Sequence, residues 1–100
     1  MIMRVFKDLR LDGFLKKLST ADNIKITKTI RLFLDYNFSL PEKYLKKINN
    51  LIWELRVDRY RILFGRIKDR IIITNIYYKK TQKIPIKELK LAVKKYKEQL

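Results

Sequence analysis

One hundred residues make a single domain, residues 1–100, with room for only a modest core. The chain holds no cysteine and no histidine, which excludes disulfide frameworks, thiolate or imidazole metal sites and the usual near-neutral acid–base group. Twenty-five Lys and Arg against ten Asp and Glu give +15, more than solubility requires, so the charge implies a polyanionic partner. Nucleic acid comes first, an anionic membrane second and an acidic protein third. A hydrophobic content of 47% speaks for a folded chain, and two Gly and two Pro speak for regular elements with short connections. Met1–Val5 is too short for a signal peptide, and the longest apolar run, Ile71–Ile76, is strand length. The expectation is a soluble cytoplasmic protein that does not enter a membrane.

In chain order, Leu11, Phe14, Leu15 and Leu18 mark one helical stripe, interrupted by Gly13. Ser19–Asp22 reads as a break with a new helix starting at Asp22 or just before. Ile26, Ile30, Phe33 and Leu34 form its stripe, and Asn37 suits a left-handed cap at its end. Leu40-Pro41 opens a loop and turn reaching Lys47. From Leu51 the period changes to two. Leu51, Trp53, Leu55 and Val57 give an apolar face, opposite Ile52, Glu54, Arg56 and Asp58. Tight turns at Asp58-Arg59 and Lys68-Asp69 lead into strands 60–67 and 70–78, the last apolar on both faces as in a central strand. Pro85 opens a C-terminal helix with Glu88 in its first turn and Ile86, Leu89, Val93 and Tyr96 as its stripe. The predicted fold class is α+β: two N-terminal helices, a twisted antiparallel sheet of three to four strands (residues 1–6 supplying the fourth), and a C-terminal helix.

The basic residues are unevenly placed. Residues 76–100 carry eight Lys and two Glu, whereas residues 51–75 carry five Arg and one Lys against three acids. Lys94, Lys95 and Lys97 read as a solvated helix face. On the sheet, Glu54, Arg56 and Arg61 leave the apolar side together, and pairing across Asp58-Arg59 brings the two guanidiniums close. Two readings are open: an ion-pair cluster on an exposed sheet, or a phosphate site in which planar forks grip an anion bidentately. Tyr77, Tyr78, Lys79 and Lys80 put rings beside cations, the combination that binds single-stranded RNA, or else close a strand with an aromatic anchor and leave lysines in water.

Three ordered blocks carry a family resemblance: Leu51-Ile52-Trp53-Glu54-Leu55-Arg56, then Tyr60-Arg61-Ile62-Leu63-Phe64, then Tyr77-Tyr78-Lys79-Lys80-Thr81-Gln82-Lys83-Ile84-Pro85, with Ala92 in the helix that follows. Over residues 43–97 the chain resembles the RelE/HigB toxins of type II toxin–antitoxin systems, in their phage-related branch. The resemblance implies a RelE-like fold and a ribosome-dependent endoribonuclease that cuts mRNA by attack of the 2′-OH on the adjacent phosphate, without a metal or small-molecule cofactor. It implies as partners a cognate antitoxin of the helix-turn-helix, HigA-like kind, the ribosome with its 16S ribosomal RNA, and mRNA. Arg56 and Arg61 suit the phosphate role, and Lys79 and Lys80 are the candidates for assisting proton transfer, which a lysine performs best among other cations. Glu54, Tyr77, Tyr78, Lys83 and Lys87 complete the expected RNA-binding set. The sequence departs from the family in having no histidine, which some relatives use for catalysis, and in its short Val57–Tyr60 connection. Two other functions fit part of the pattern: a ParE-like DNA gyrase inhibitor on the same fold, and a non-catalytic nucleic-acid-binding module. The Arg56, Arg61, Lys79 and Lys80 set favours the nuclease.

Overall fold

The computed structural model describes residues 2–100; Met1, at the start of the expected first strand, lies outside them. The elements run β1 (Arg4–Lys7), α1 (Leu11–Lys16), α2 (Thr20–Tyr36), a 3-10 turn (Asn37–Ser39), β2 (Leu45–Lys47), β3 (Ile52–Val57), β4 (Tyr60–Ile67), β5 (Arg70–Tyr78) and α3 (Ile86–Glu98). The α+β class and the two-helix, meander, helix order hold. The Ser19 side chain accepts a hydrogen bond from the Asp22 amide at 3.1 Å, which starts α2 where the break was expected. Asn37 closes α2 with a positive φ of 53°, but its ψ of −138° lies outside the left-handed helical region expected for this cap. Asp58 and Lys68 also take a positive φ, at 52° and 56°, as two-residue hairpin turns require.

The sheet differs from expectation in two ways. It has five strands in the order β1-β5-β4-β3-β2, and it is mixed, because β1 pairs parallel to β5 while the other neighbours are antiparallel. Leu45–Lys47, expected as part of a loop, is the short edge strand β2, with Leu45 opposite Leu55. A three-residue strand with one buried residue and two exposed lysines has too little alternation to stand out in a sequence.

Both faces of the sheet are covered. On one, α1 and α2 bury a core containing Phe33, Leu55, Ile62, Phe64 and Ile71, with the Phe33 and Phe64 rings 5.0 Å apart. On the other, α3 packs Ala92 and Tyr96 against Ile52, Leu63 and Tyr77. Gly65 permits this contact: a Cβ there would run into the Tyr96 ring. The Tyr96 hydroxyl donates to the Arg66 carbonyl at 2.8 Å. The register of β4 on β5 shifts between Leu63 and Phe64. The shift leaves Thr74 as an extra residue, as in a bulge. Lys95, expected in solvent, is 8% exposed and donates to the Thr74 carbonyl at 3.0 Å, with Asp8 3.4 Å away. The lysine thus joins α3, the irregular point of β5 and the residue that follows β1. No helix among the described residues is long and apolar enough to cross a membrane.

A cationic candidate active site at the open end of the sheet

The face under α3 is not polar along its length, as the simple alternation suggested. Ile52, Leu63 and Gly65 lie buried under the helix, while Arg56 and Arg61 emerge at the other end of the same strands. The register sets Arg56 opposite Arg61, and Arg61 opposite Tyr77. Tyr44, one residue before the β2–β3 pair Leu45–Leu55, continues this row, since the Arg56 amide donates to its carbonyl at 2.8 Å. One cross-strand row therefore reads Tyr44, Arg56, Arg61, Tyr77.

Glu54 organises the middle of the row. It is 4% exposed, and its Oε1 accepts from Arg56 Nε at 3.1 Å and lies 3.8 Å from Arg61 Nε. The cluster is therefore built into the structure rather than lying on an exposed sheet. One buried carboxylate between two guanidiniums leaves an excess positive charge, and burial strengthens its pull on an anion. Arg61 is fixed further by its Nη1, which donates to the carbonyls of Asp58 at 2.8 Å and Tyr60 at 2.9 Å. Its Nε is buried and has no hydrogen-bond acceptor among the described residues.

Arg61 lines two adjoining depressions. One, of about 290 Å³, is lined by Arg59, Arg61, Lys79, Lys80, Thr81 and Gln82. The other, of about 530 Å³, is lined by Lys43, Tyr44, Arg56, Asp58 and Arg61. The four residues expected to be catalytic thus share one surface, with Arg61 at the junction. A backbone hydrogen bond from the Lys79 amide to the Arg59 carbonyl, 2.6 Å, ties the end of β5 to the β3–β4 turn. Arg59, Lys43 and Tyr44 belong to this surface and were not singled out from the sequence. They sit in a turn and in the segment before a three-residue strand, where periodicity carries no signal.

The expected RNA-binding residues fall into three groups. Tyr78 is exposed at the end of β5, but it lies on the face of the sheet opposite Arg61 and Tyr77, its ring 5.2 Å from that of Tyr60 in an edge-on contact, and it lines neither depression. Lys83 and Lys87 are exposed but line neither depression. Glu54 and Tyr77 require correction: both are buried. Glu54 faces the arginines, and Tyr77 belongs to the core under α3, where its ring cannot stack on RNA. Burial, with the Glu54 charge next, pushes the Tyr77 phenol up to about 12. The group is neutral at physiological pH and has no hydrogen-bond partner among the described residues.

The same fold occurs in solved toxins. The chain matches RelE of the archaeal RelE–RelB complex from Pyrococcus horikoshii with a TM-score of 0.65 and 20% identity over 78% of this chain and 96% of that one. It matches the Escherichia coli toxin RelE, solved in the free state as a double arginine-to-alanine mutant, with 0.67 and 17% identity over 94% and 97%. The toxin–antitoxin complex from Methanococcus jannaschii gives 0.57 and 22% over 73% and 88%. At these identities the likeness is one of fold. No curated protein matches the chain. The family model of phage-derived Gp49-like proteins (DUF891) matches residues 13–97, and the chain belongs to that family.

Proposed function

We propose that this protein is the toxin of a type II toxin–antitoxin pair and acts as an endoribonuclease on mRNA engaged by the ribosome. The observation that carries the reading is the Arg56–Glu54–Arg61 cluster opening onto a surface that also holds Arg59, Lys79 and Lys80. Its fold is that of solved RelE toxins, two of them in complex with their antitoxin, which supports an antitoxin as partner here. The resemblance to the HigB branch suggests a helix-turn-helix, HigA-like antitoxin and action in the cytoplasm.

In the proposed reaction a base takes the proton of the 2′-OH. The 2′-oxygen attacks the neighbouring phosphorus, and the bond to the 5′-oxygen breaks. A proton passes to that leaving oxygen, giving a cyclic phosphate and a 5′-OH end. Negative charge accumulates on the phosphate oxygens, so guanidiniums already fixed by folding stabilise the transition state most. Arg56 and Arg61 fill this role, and Glu54 holds them in place rather than touching RNA. Lys79 or Lys80 assists proton transfer. Tyr77, buried and titrating near 12, is not the base.

The test is translation in a cell-free bacterial extract, with mRNA ends mapped by primer extension. Purified protein should produce new ends on translated message and none when initiation is blocked. Arg61→Ala should lower cutting on the order of 10²–10³-fold, the usual effect of removing one preorganised donor. Undiminished cutting by this variant, or intact message with the parent protein, would overturn the assignment.

A further inference from the structure

The larger depression lies on the side of Arg61 away from Lys79 and Lys80, and the phosphate chemistry at its arginines leaves Lys43 and Tyr44 unused. Its wall is Lys43 and Tyr44, its floor Arg56 and Arg61. Asp58, the acidic residue of the lining, has its carboxylate engaged by Lys25 at 3.0 Å, which mutes it as a competitor for an anion. The wall is rigidly mounted. The Tyr44 and Leu45 amides donate to the Pro41 carbonyl at 2.9 and 3.1 Å. The Arg56 amide donates to the Tyr44 carbonyl at 2.8 Å, and Arg56 Nη1 donates to the Glu42 carbonyl at 3.4 Å. Tyr44 is half-buried, and the exposed Lys43 sets its ammonium 5.4 Å from the centre of the Tyr44 ring.

We propose that Lys43 and Tyr44 form a second nucleotide subsite: a base of unpaired RNA stacks on Tyr44, and the phosphate attached to it meets Lys43. The subsite rests on the RNA-cleaving reading of Arg56 and Arg61 and extends it. Neighbouring strands lie about 4.8 Å apart, so Tyr44 stands roughly 10 Å from Arg61 along the cross-strand row. That is a span for the nucleotide next to the scissile phosphate rather than for the reacting one. An aromatic ring paired with a cation, here Lys43 over the Tyr44 ring, is the sequence-tolerant element of single-strand binding. Here it completes a track. Lys79 and Lys80 hold the strand on one side, the arginines hold the reacting phosphate, and Tyr44 with Lys43 holds the strand on the other side. Because the ring is fixed and partly enclosed, the subsite is also where base preference beside the cut would arise.

The probe is a short single-stranded RNA with a 2′-deoxy sugar at the cleavage position, which cannot react. It is titrated into full-length protein carrying labelled aromatic side chains. The Tyr44 ring resonances should move upfield on addition, as a ring under a stacked base does. Tyr44→Ala should weaken binding about tenfold while Tyr44→Phe binds like the parent. In the translating extract Tyr44→Ala should still cut but with altered base preference beside the cut. Tyr44 resonances that stay in place, whether or not those near Arg61 respond, would overturn the subsite. The two proposals fail separately. A parent protein that cuts translated message while Tyr44 is silent loses the subsite alone. A Tyr44 ring that responds while translated message stays whole loses the nuclease reading alone.

Discussion

Arg56 and Arg61 face each other directly across β3 and β4, and Glu54 Oε1 lies 3.1 Å from the Nε of the first and 3.8 Å from the Nε of the second. Two guanidiniums at that separation repel unless a carboxylate stands between them, and Glu54 is the residue two positions along the same strand face that supplies it. On the proposed RNA-cleaving function, its role is to fix both forks before RNA arrives. Glu54→Gln keeps the shape and removes the charge. Cleavage should fall on the order of 10²-fold, the effect expected when catalytic groups drift from their working geometry. The loss should appear in kcat more than in KM, because the excess positive charge that attracts RNA increases. Unfolding free energy should drop by about 1–3 kcal/mol, limited by the partial contact of Arg56 with water. Denaturant melts and single-turnover cleavage measure the two effects, and equal changes in kcat and KM would contradict the positioning role.

Tyr77 sits in the same row but under α3, and its burial defines what it can do. The phenol, raised to about 12 chiefly by desolvation, stays protonated wherever the protein works. Tyr77→Phe should therefore cleave within about threefold of the parent, whereas Tyr77→Ala should cost about 3–5 kcal/mol of stability, as a truncated buried aromatic does. The sign of the alkaline dependence follows from the same shift. A folded-state pKa above the unfolded value of about 10 gives a contribution fully present below pH 10. That contribution is lost as pH rises through 12. Phenolate absorbance during an alkaline titration reads it directly, and a Tyr77 phenol ionising with the exposed tyrosines would refute the buried placement.

Asp8 and Lys95 form the most enclosed ion pair outside the site among the described residues. Hydrogen bonds from Arg10, and then the charge of Lys95, hold the Asp8 carboxyl well below the usual carboxylate range, against the opposing effect of burial. A depressed folded-state pKa stabilises the protein above the unfolded value of about 3.9, and the stabilisation is lost as pH falls below it toward the folded value. Asp8→Asn should lower stability at neutral pH by about 1 kcal/mol, a figure kept small because Arg10 is mostly in water. The difference from the parent should shrink steadily below about pH 4. Thermal melts across that range check it, and a gap that widens in acid would reverse the sign assigned here.

What the sequence made legible, and what it did not, follows from the range of the interactions involved. The β3–β4–β5 meander was readable because alternation and two-residue turns are local. Its register then placed Arg56 beside Arg61 from the position of Asp58-Arg59 alone. The parallel pairing of β1 with β5 depends on contacts more than sixty residues apart, and no local pattern announces it. Glu54 and Arg56 look like one polar face, yet α3 covers one end of that face and leaves the other open, so the same alternation yields buried Ile52 and accessible Arg56. Lys95 reads like its neighbours Lys94 and Lys97, and only the irregularity at Thr74 makes it a core residue. The arginines of the site were visible through a family pattern. Arg59, Lys43 and Tyr44 were not, because turns and edge segments reach a site by geometry rather than by period.

Gly65 gives the sharpest test of how α3 is seated. The residue lies on β4 opposite Ile52, directly beneath Tyr96, and its backbone shows no positive φ that would by itself demand glycine. The requirement is one of space. A methyl group at this position overlaps the Tyr96 ring, which is pinned by its hydroxyl to the Arg66 carbonyl and cannot swing aside without losing that bond. Gly65→Ala should cost about 1–3 kcal/mol through overpacking, despite the gain of a residue better suited to strands than glycine. Pairing it with Tyr96→Leu, which gives up the hydroxyl and the ring but frees the space, should restore part of the loss, so the two changes should be markedly non-additive. Because α3 also carries Lys95 to Thr74, the single variant should release protection of the Thr74–Asn75 amides in hydrogen exchange before that of the Arg56–Arg61 hairpin. If Gly65→Ala melts like the parent, or its cost simply adds to that of Tyr96→Leu, the close seating of the helix on Gly65 is wrong.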